Sequence, residues 1–291
     1  ARCFVGGSLL YNEEQGVIRL PGTFVAPWQW GWFLISAAFF SFATAFSDRA
    51  WLWRITGMAG MGLTLLMAVL SGQRIALILV PIVFVVLLLA TGQVANLKRF
   101  IPIGIVMGIG GAIAAVAYPE IVQERIDSMV ARWNAAPPTE FITDQFGFVQ
   151  DLAGALGRGL GRATNSARAF GETRLIETYY PKVLYEIGPF GLLLFVILVT
   201  TLVIVSFKAW RTIKDKNLRG HAAVLWVFLL FISYNTYYYP LDVDPVAAYY
   251  WFMAGVLLKL PILDQEVEAS PLEETTKKRK SNSSKQKKRS I

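Results

Sequence analysis

The chain is poor in the residues that usually build soluble catalytic or metal centres. It has one cysteine, Cys3, and one histidine, His221, among 291 residues. A lone cysteine excludes an intramolecular disulfide and a cysteine metal cluster. Charge is scarce as well, at 16% of residues. Hydrophobic residues reach 55%, with 9 Trp and 19 Phe. One soluble core of this size cannot hide so much apolar surface. The apolar residues also cluster into blocks of membrane-spanning length, so the composition predicts an all-α polytopic membrane protein.

The net charge of +8 is concentrated at one end: eight Lys and Arg residues lie between Lys277 and Arg289. This low-complexity tail is nearly free of apolar residues and is expected to be disordered. Beside a last membrane helix, such a tail reads as a topology signal facing anionic lipid headgroups. No aromatic-interleaved basic fold accompanies it, which argues against nucleic acid as a partner. The sequence begins at Ala1 without a basic leader or cleavage signal, and is expected to be a fragment whose N-terminal part is missing.

Seven apolar blocks are expected to span the membrane: Pro27–Phe46, Ala50–Leu70, Ile75–Thr91, Phe100–Ala117, Leu184–Phe207, His221–Tyr238 and Ala248–Leu263. They divide the chain into an outer segment 1–26, four spans in 27–117, a large outer loop 118–182, three spans in 183–263 and the basic tail 264–291. Lys208, Arg211, Lys214, Lys216 and Arg219 separate the fifth and sixth blocks. By the positive-inside rule that loop and the tail are cytoplasmic. The loop with Asp242 and Asp244, the large loop and Arg74 then fall outside.

The large loop is the one extramembrane segment long enough to build a site. It carries Arg125, Arg132, Arg158, Arg162, Arg168 and Arg174, with no lysine before Lys182. A guanidinium grips phosphate oxygens with two parallel N–H donors, whereas an ammonium acts as a point charge. The competing reading pairs these arginines with Glu120, Glu124, Asp127, Glu140, Asp144, Asp151 and Glu172 as surface ion pairs. Arg74 opens an unbroken apolar run on the same outer side. Ionisable groups at such depth are rare and often functional, the alternative being an arginine that snorkels to headgroups. The glycine-rich stretch Gly154–Asn165 lacks the Lys-Ser/Thr of a nucleotide-binding loop. It reads as a flexible turn that places Arg158 and Arg162 beside the membrane.

Glu177 is eleven residues before Gly188, about three helical turns, and Gly191 follows three later. If one helix begins early enough, Glu177 crowns a small-residue face that a neighbouring helix approaches closely. That spacing aims a carboxylate at the arginine-rich loop.

These residues resemble the bacterial O-antigen ligase and O-antigen polymerase superfamily. Its motif is His, then Asn/Ser/Gln, nine residues, Gly, two residues, then Gly/Thr/Tyr. Here Glu177-Thr178, nine residues, Gly188 and Gly191 keep the spacing but not the first two residues. "SGQR" at Ser71–Arg74 is similar to the family's Ser-Gly-Ser-Arg, and "IRLPGTFVAP" at Ile18–Pro27 to its Arg-x-x-Gly-Thr-Phe stretch. The resemblance covers residues 16–263, and family members typically have about twelve spans, so about five would precede this sequence. It implies a GT-C-like glycosyltransferase in the bacterial inner membrane that needs no metal and no cofactor, with its large loop periplasmic. The donor would be a polyprenyl-diphosphate-linked glycan, and the acceptor lipid A core or a second glycan chain. Arg74 with Arg158, Arg162, Arg168 and Arg174 would hold the diphosphate. The family's histidine is the acceptor base. His221 is expected at the cytoplasmic face, so Glu177 is the substitute base, with Glu172 next. Membrane lipids and other polysaccharide-assembly proteins are the remaining partners.

Two other functions fit a membrane protein of this kind: a transporter or flippase for the same lipid-linked sugars, and a non-catalytic component of a secretion complex. Transport proteins often carry midplane ionisable groups and internal repeats. Here Arg54, Arg74, Glu186 and Lys259 lie towards span ends and no repeat is visible, which counts against transport.

Overall fold

The computed structural model describes residues 11–12, 17–18, 22–24, 26–135, 137–164, 169, 171–238 and 240–287. Among the described residues the regular structure is helical, with one two-residue antiparallel ladder, Tyr11–Asn12 with Val17–Ile18, and one isolated bridge, Thr178 with Tyr237. The helices are α1 (Pro27–Ser47), α2 (Trp51–Leu70), α3 (Arg74–Ala90), α4 (Ile101–Ala117), α5 (Pro119–Ala135), α6 (Pro138–Ala153), α7 (Tyr179–Thr212), α8 (Lys216–Tyr234) and α9 (Val246–Lys287).

Five helices among the described residues are long and apolar enough to cross a membrane: α1, α2, α7, α8 and the Val246–Glu266 part of α9. The third and fourth predicted spans fall on shorter apolar helices. The 17 residues of α3 extend roughly 26 Å at about 1.5 Å per residue. That is a little short of a hydrocarbon core of about 30 Å. Thr91 and Gly92 end the helix, Gly92 with φ 67°, a left-handed turn natural to glycine.

At the centre, α1 packs against α2, α3 and α8. Trp32, Ile35, Phe39 and Phe42 on α1 are fully buried, with Phe228 of α8 and Tyr250 of α9 in the same cluster. Gly57 brings α2 against α1, since a Cβ there would stand 2.9 Å from the Ala45 Cα. The outward faces carry exposed Trp51, Leu52, Trp53, Phe190, Leu194 and Phe252. An exposed apolar surface of this kind would be costly in water and suits a lipid surround.

The large loop is not structureless, because α5 and α6 occupy much of it. Beside them Val149, Ala153, Ala163, Ile176 and Tyr185 form a small second core. The tail also departs from expectation: α9 stays helical through the basic segment to Lys287. A composition too polar for a packed core still contains good helix formers such as Glu, Lys and Gln.

The expected early start of α7 does not occur. Glu177 precedes the helix, which begins at Tyr179 and breaks at Gly188, where φ is 70° and ψ is 179°. The three-turn alignment of Glu177 with Gly188 therefore does not exist. No neighbouring helix seats on Gly188; the backbone of Ala155 and Gly157 does. At Gly191 the nearest side chain to an added Cβ is Ile187 of the same helix.

The break has a covalent cause. Pro189 has no N–H, so the carbonyl four residues back, Tyr185, loses its helical donor. The glycine-rich segment supplies one from outside. Arg158 N–H donates to the Tyr185 carbonyl at 2.8 Å, and Gly159 N–H to the Glu186 carbonyl at 2.9 Å. The Ala163 N–H donates to Glu186 Oε1 at 3.0 Å. The glycines thus serve a broken helix.

Candidate functional site

One end of the bundle gathers the N-terminus of α3, the segment before α7 and the loop after α8. Arg74 is the first residue of α3, where the unpaired N–H groups and the helix dipole favour negative charge. Thr178 forms a bridge with Tyr237, and Tyr179 N–H donates to the Thr236 carbonyl at 2.8 Å. Lys182, which is largely buried, forms an ion pair with Asp242 of the same loop.

Tyr237 is the meeting point. Its phenol is pushed up to about 12, chiefly by burial. The Tyr238 side chain, through its charge and its hydrogen bond, and the Glu177 carboxylate push it the same way, while the Arg74 guanidinium pulls it down. Arg74 and Glu177, 103 positions apart in the chain, thus lie near enough to Tyr237 for both charges to reach its surroundings. Tyr238 takes φ 48°, uncommon for a residue with a side chain, and its ring meets Tyr237 edge-on with centroids 4.6 Å apart.

Helix α6 acts as a ruler along which the candidate residues are laid out. Phe141 meets the Tyr237 ring at 6.0 Å. Gln145 Oε1 accepts the Glu177 N–H at 3.2 Å. The Phe148 ring lies 5.6 Å beneath the Arg174 guanidinium. The Leu152 carbonyl accepts Arg158 Nε–H at 2.6 Å. Positions 141, 145, 148 and 152 follow the four- and three-residue steps of one helical stripe. From Phe141 to Leu152 the stripe rises about 16 Å at about 1.5 Å per residue.

The loop arginines are therefore spread out. Arg74 and Glu177 share the Tyr237 end, Arg174 lies partway along and Arg158 lies at the far end. Arg162 donates from Nη1 to the Glu172 carbonyl at 3.0 Å, and its own carbonyl accepts the Arg174 N–H at 2.9 Å. Among the described residues, Arg158, Arg162 and Arg174 form no ion pair with a carboxylate; the pairs present are Arg49–Asp215 and Lys182–Asp242. They hold carbonyls and a ring, which differs from the surface pairing considered above. Glu172 is exposed and Glu177 half-buried. Arg168 lies outside the described residues, as do the side chains of Arg125 and Arg132.

His221 lies at the opposite end, near the start of α8, with Nδ1 2.9 Å from the Asn217 carbonyl. Ser47 of α1 packs there against Gly220. No group of metal-binding His, Cys, Asp and Glu side chains occurs among the described residues.

The chain matches no protein-family profile, no curated protein and no solved structure.

Tyr237 and Gln145 escape a reading by motif. The available signal for Tyr237 is the run Asn235–Tyr238, polar and aromatic residues packed into a short turn between two apolar blocks. Nothing in the sequence marks Gln145, because its role depends on which helix face meets Glu177. Chemically, the end brings together a guanidinium, a carboxyl group and a phenol that stays neutral at physiological pH.

Proposed function

We propose that this protein is a membrane glycosyltransferase that polymerises or ligates polyprenyl-diphosphate-linked glycans at the outer face of the bacterial inner membrane. The observation that carries the reading is the placement of Arg74, at the start of α3, and of Glu177, held by Gln145 beside the Thr178–Tyr237 bridge, at one end of the bundle. A glycosyl transfer from a diphosphate needs a cation for the leaving group and a base for the acceptor, held near one another. In the proposed step an acceptor hydroxyl attacks the anomeric carbon. The bond from that carbon to the diphosphate oxygen breaks, its electron pair leaves with the diphosphate, and the hydroxyl proton passes to the Glu177 carboxylate.

Arg74 holds the diphosphate, assisted by Arg174 and, further along α6, by Arg158 and Arg162. Arg168 belongs to the same proposed set, and Glu172 is the second candidate base. The GT-C-like fold with seven spans, the periplasmic placement of residues 118–182 and the cytoplasmic placement of the tail are parts of this proposal. So are lipid A core or a second glycan as acceptor and the contact with other assembly proteins. No metal or other cofactor enters the step.

The test is Glu177→Gln in the chromosomal full-length gene, with chain length and lipid attachment of the surface polysaccharide read by gel. Collapse to single repeats identifies a polymerase, and full-length chains left unattached identify a ligase. Unchanged glycan at unchanged protein level removes Glu177 from the reaction.

A further inference from the structure

The apolar run of α7 begins at the helix break. Between Glu186 and Lys208 the chain carries no charged residue. From Pro189 to Phe207 it extends roughly 28 Å at about 1.5 Å per residue, close to a hydrocarbon core of about 30 Å. Phe190, Leu193, Leu194, Ile197 and Leu198 are exposed along it, as side chains facing lipid are. Gly188 and Pro189 therefore mark one edge of the hydrocarbon layer, on the side of the large loop.

The glycine-rich segment seats on that edge. Its backbone at Ala155 and Gly157 lies against Gly188, and the Arg158 and Gly159 N–H groups bond the carbonyls of Tyr185 and Glu186. Ala163 N–H is held by the Glu186 carboxylate. The segment is thus fastened to α7 along its length. Yet Leu156 and Leu160 within it are 82% and 80% exposed, with Arg158 between them exposed as well. Phe190, just past the break, is 66% exposed.

A single exposed leucine needs no explanation. Two on a segment pinned at the edge of the hydrocarbon layer, continuous with the exposed apolar face of α7, have an evident solvent. Leucines with an arginine beside them suit the boundary between acyl chains and headgroups, the apolar side chains entering and the cation staying at the phosphates. Non-helical backbone at that depth needs partners from the protein. Here the carbonyls at the break and the Glu186 carboxylate supply them. We infer that residues 154–163 form a lipid-inserting loop, with Leu156 and Leu160 among the acyl chains of the leaflet that borders the break. The occupant of this surface is the bilayer itself. The inference requires that α7 crosses a membrane and does not depend on glycosyl transfer.

The experiment uses the full-length protein on a Cys3→Ser background, in vesicles of phosphatidylethanolamine and phosphatidylglycerol. Nitroxide labels are attached singly at Leu156→Cys, Leu160→Cys, Leu194→Cys on α7 and Asp144→Cys on α6. Their collisions with oxygen and with a water-soluble nickel chelate are read by electron paramagnetic resonance. The labels at 156 and 160 are expected to favour oxygen, as at Leu194, at a depth of about 5–10 Å below the headgroups. The label at Asp144 is expected to favour the chelate. Melting temperatures of the Leu156 and Leu160 variants should stay within about 2 °C of the background, because exposed side chains are replaced. A chelate preference at 156 and 160 matching Asp144 overturns the inference. So does exclusion of both reagents or a large fall in melting temperature, which would show protein covering the leucines. An oxygen preference that arises only on adding polyprenyl phosphate overturns it too, and makes an isoprenoid chain the occupant. If the Leu194 label also favours the chelate, α7 does not face lipid and the inference falls with that placement.

Discussion

Gly157 and Gly188 occupy one another's side-chain space. A Cβ on Gly157 would stand 2.6 Å from the Gly188 nitrogen, and one on Gly188 would stand 2.7 Å from the Gly157 nitrogen. Both have positive φ, 79° and 70°. This contact locks the glycine-rich segment onto the carbonyls that Pro189 leaves open, and so fixes the path of the chain from α6 towards α7.

That lock gives a stability prediction. Gly157→Ala or Gly188→Ala combines left-handed strain of about 1–2 kcal/mol with overpacking of about 1–3 kcal/mol. Each is expected to lower the melting temperature of the detergent-purified protein clearly. Gly110→Ala in α4 is the control, because nothing lies within 4 Å of an added Cβ there. It should be neutral or stabilising by up to about 1 kcal/mol.

The arginines should separate by position along α6. Arg74→Gln is expected to reduce glycan transfer at least a hundredfold, and Arg74→Lys less, because the charge survives without the planar fork. Arg158→Gln loses the bond to the Leu152 carbonyl and should reduce transfer less than tenfold. A transfer assay on membrane preparations checks the order. A larger loss for Arg158 than for Arg74 would move the reacting centre to the far end of the helix.

Tyr237 yields a pH prediction with a definite sign. Its phenol stays protonated to about pH 12 in the fold, against about 10 in an unfolded chain. The stabilisation is complete below pH 10 and is lost as pH rises from about 10 to about 12. Tyr237→Phe, which cannot ionise, should flatten the fall of melting temperature across that window and leave the curve below pH 9 parallel to wild type. Melting followed by circular dichroism between pH 7 and 12 is the check.

At the other end of the bundle, Asp215 is the side chain to remove. It is the N-cap of α8, accepting the Asn217 N–H at 3.1 Å and the Leu218 N–H at 2.9 Å. Asp215→Ala should cost about 1 kcal/mol, the usual loss for such a cap. Its ion-pair partner Arg49 is 73% exposed, so Arg49→Ala should cost at most about 0.5 kcal/mol. Denaturation of both variants against wild type tests whether the cap outweighs the ion pair.

Five of the seven apolar blocks fall on helices of membrane length, since helix starts and ends depend on local features. Pro27, Asp215 and the Thr91–Gly92 turn place ends within a few residues of where the hydrophobic pattern changes. The path through residues 154–191 was not legible. A motif spacing read as one continuous helix conceals a break, because the effect of Gly188-Pro189 depends on an outside donor to the freed carbonyl. Without the Arg158 and Gly159 N–H groups on hand, a helix resuming after the proline would leave buried acceptors unpaired.

The sequence by itself determined that the chain is helical and carries membrane-length apolar segments, because the length of an apolar run and the signals that end a helix are set by neighbours a few residues apart. It also marked Arg74 and Glu177 as unusual through their place at the edges of apolar runs. Tertiary structure alone brought Arg74 and Glu177 to the Tyr237 end of the bundle and set Gln145 on the backbone of Glu177. Those relations join residues tens of positions apart, and electrostatics and hydrogen bonding depend on distance in space, which no local pattern encodes.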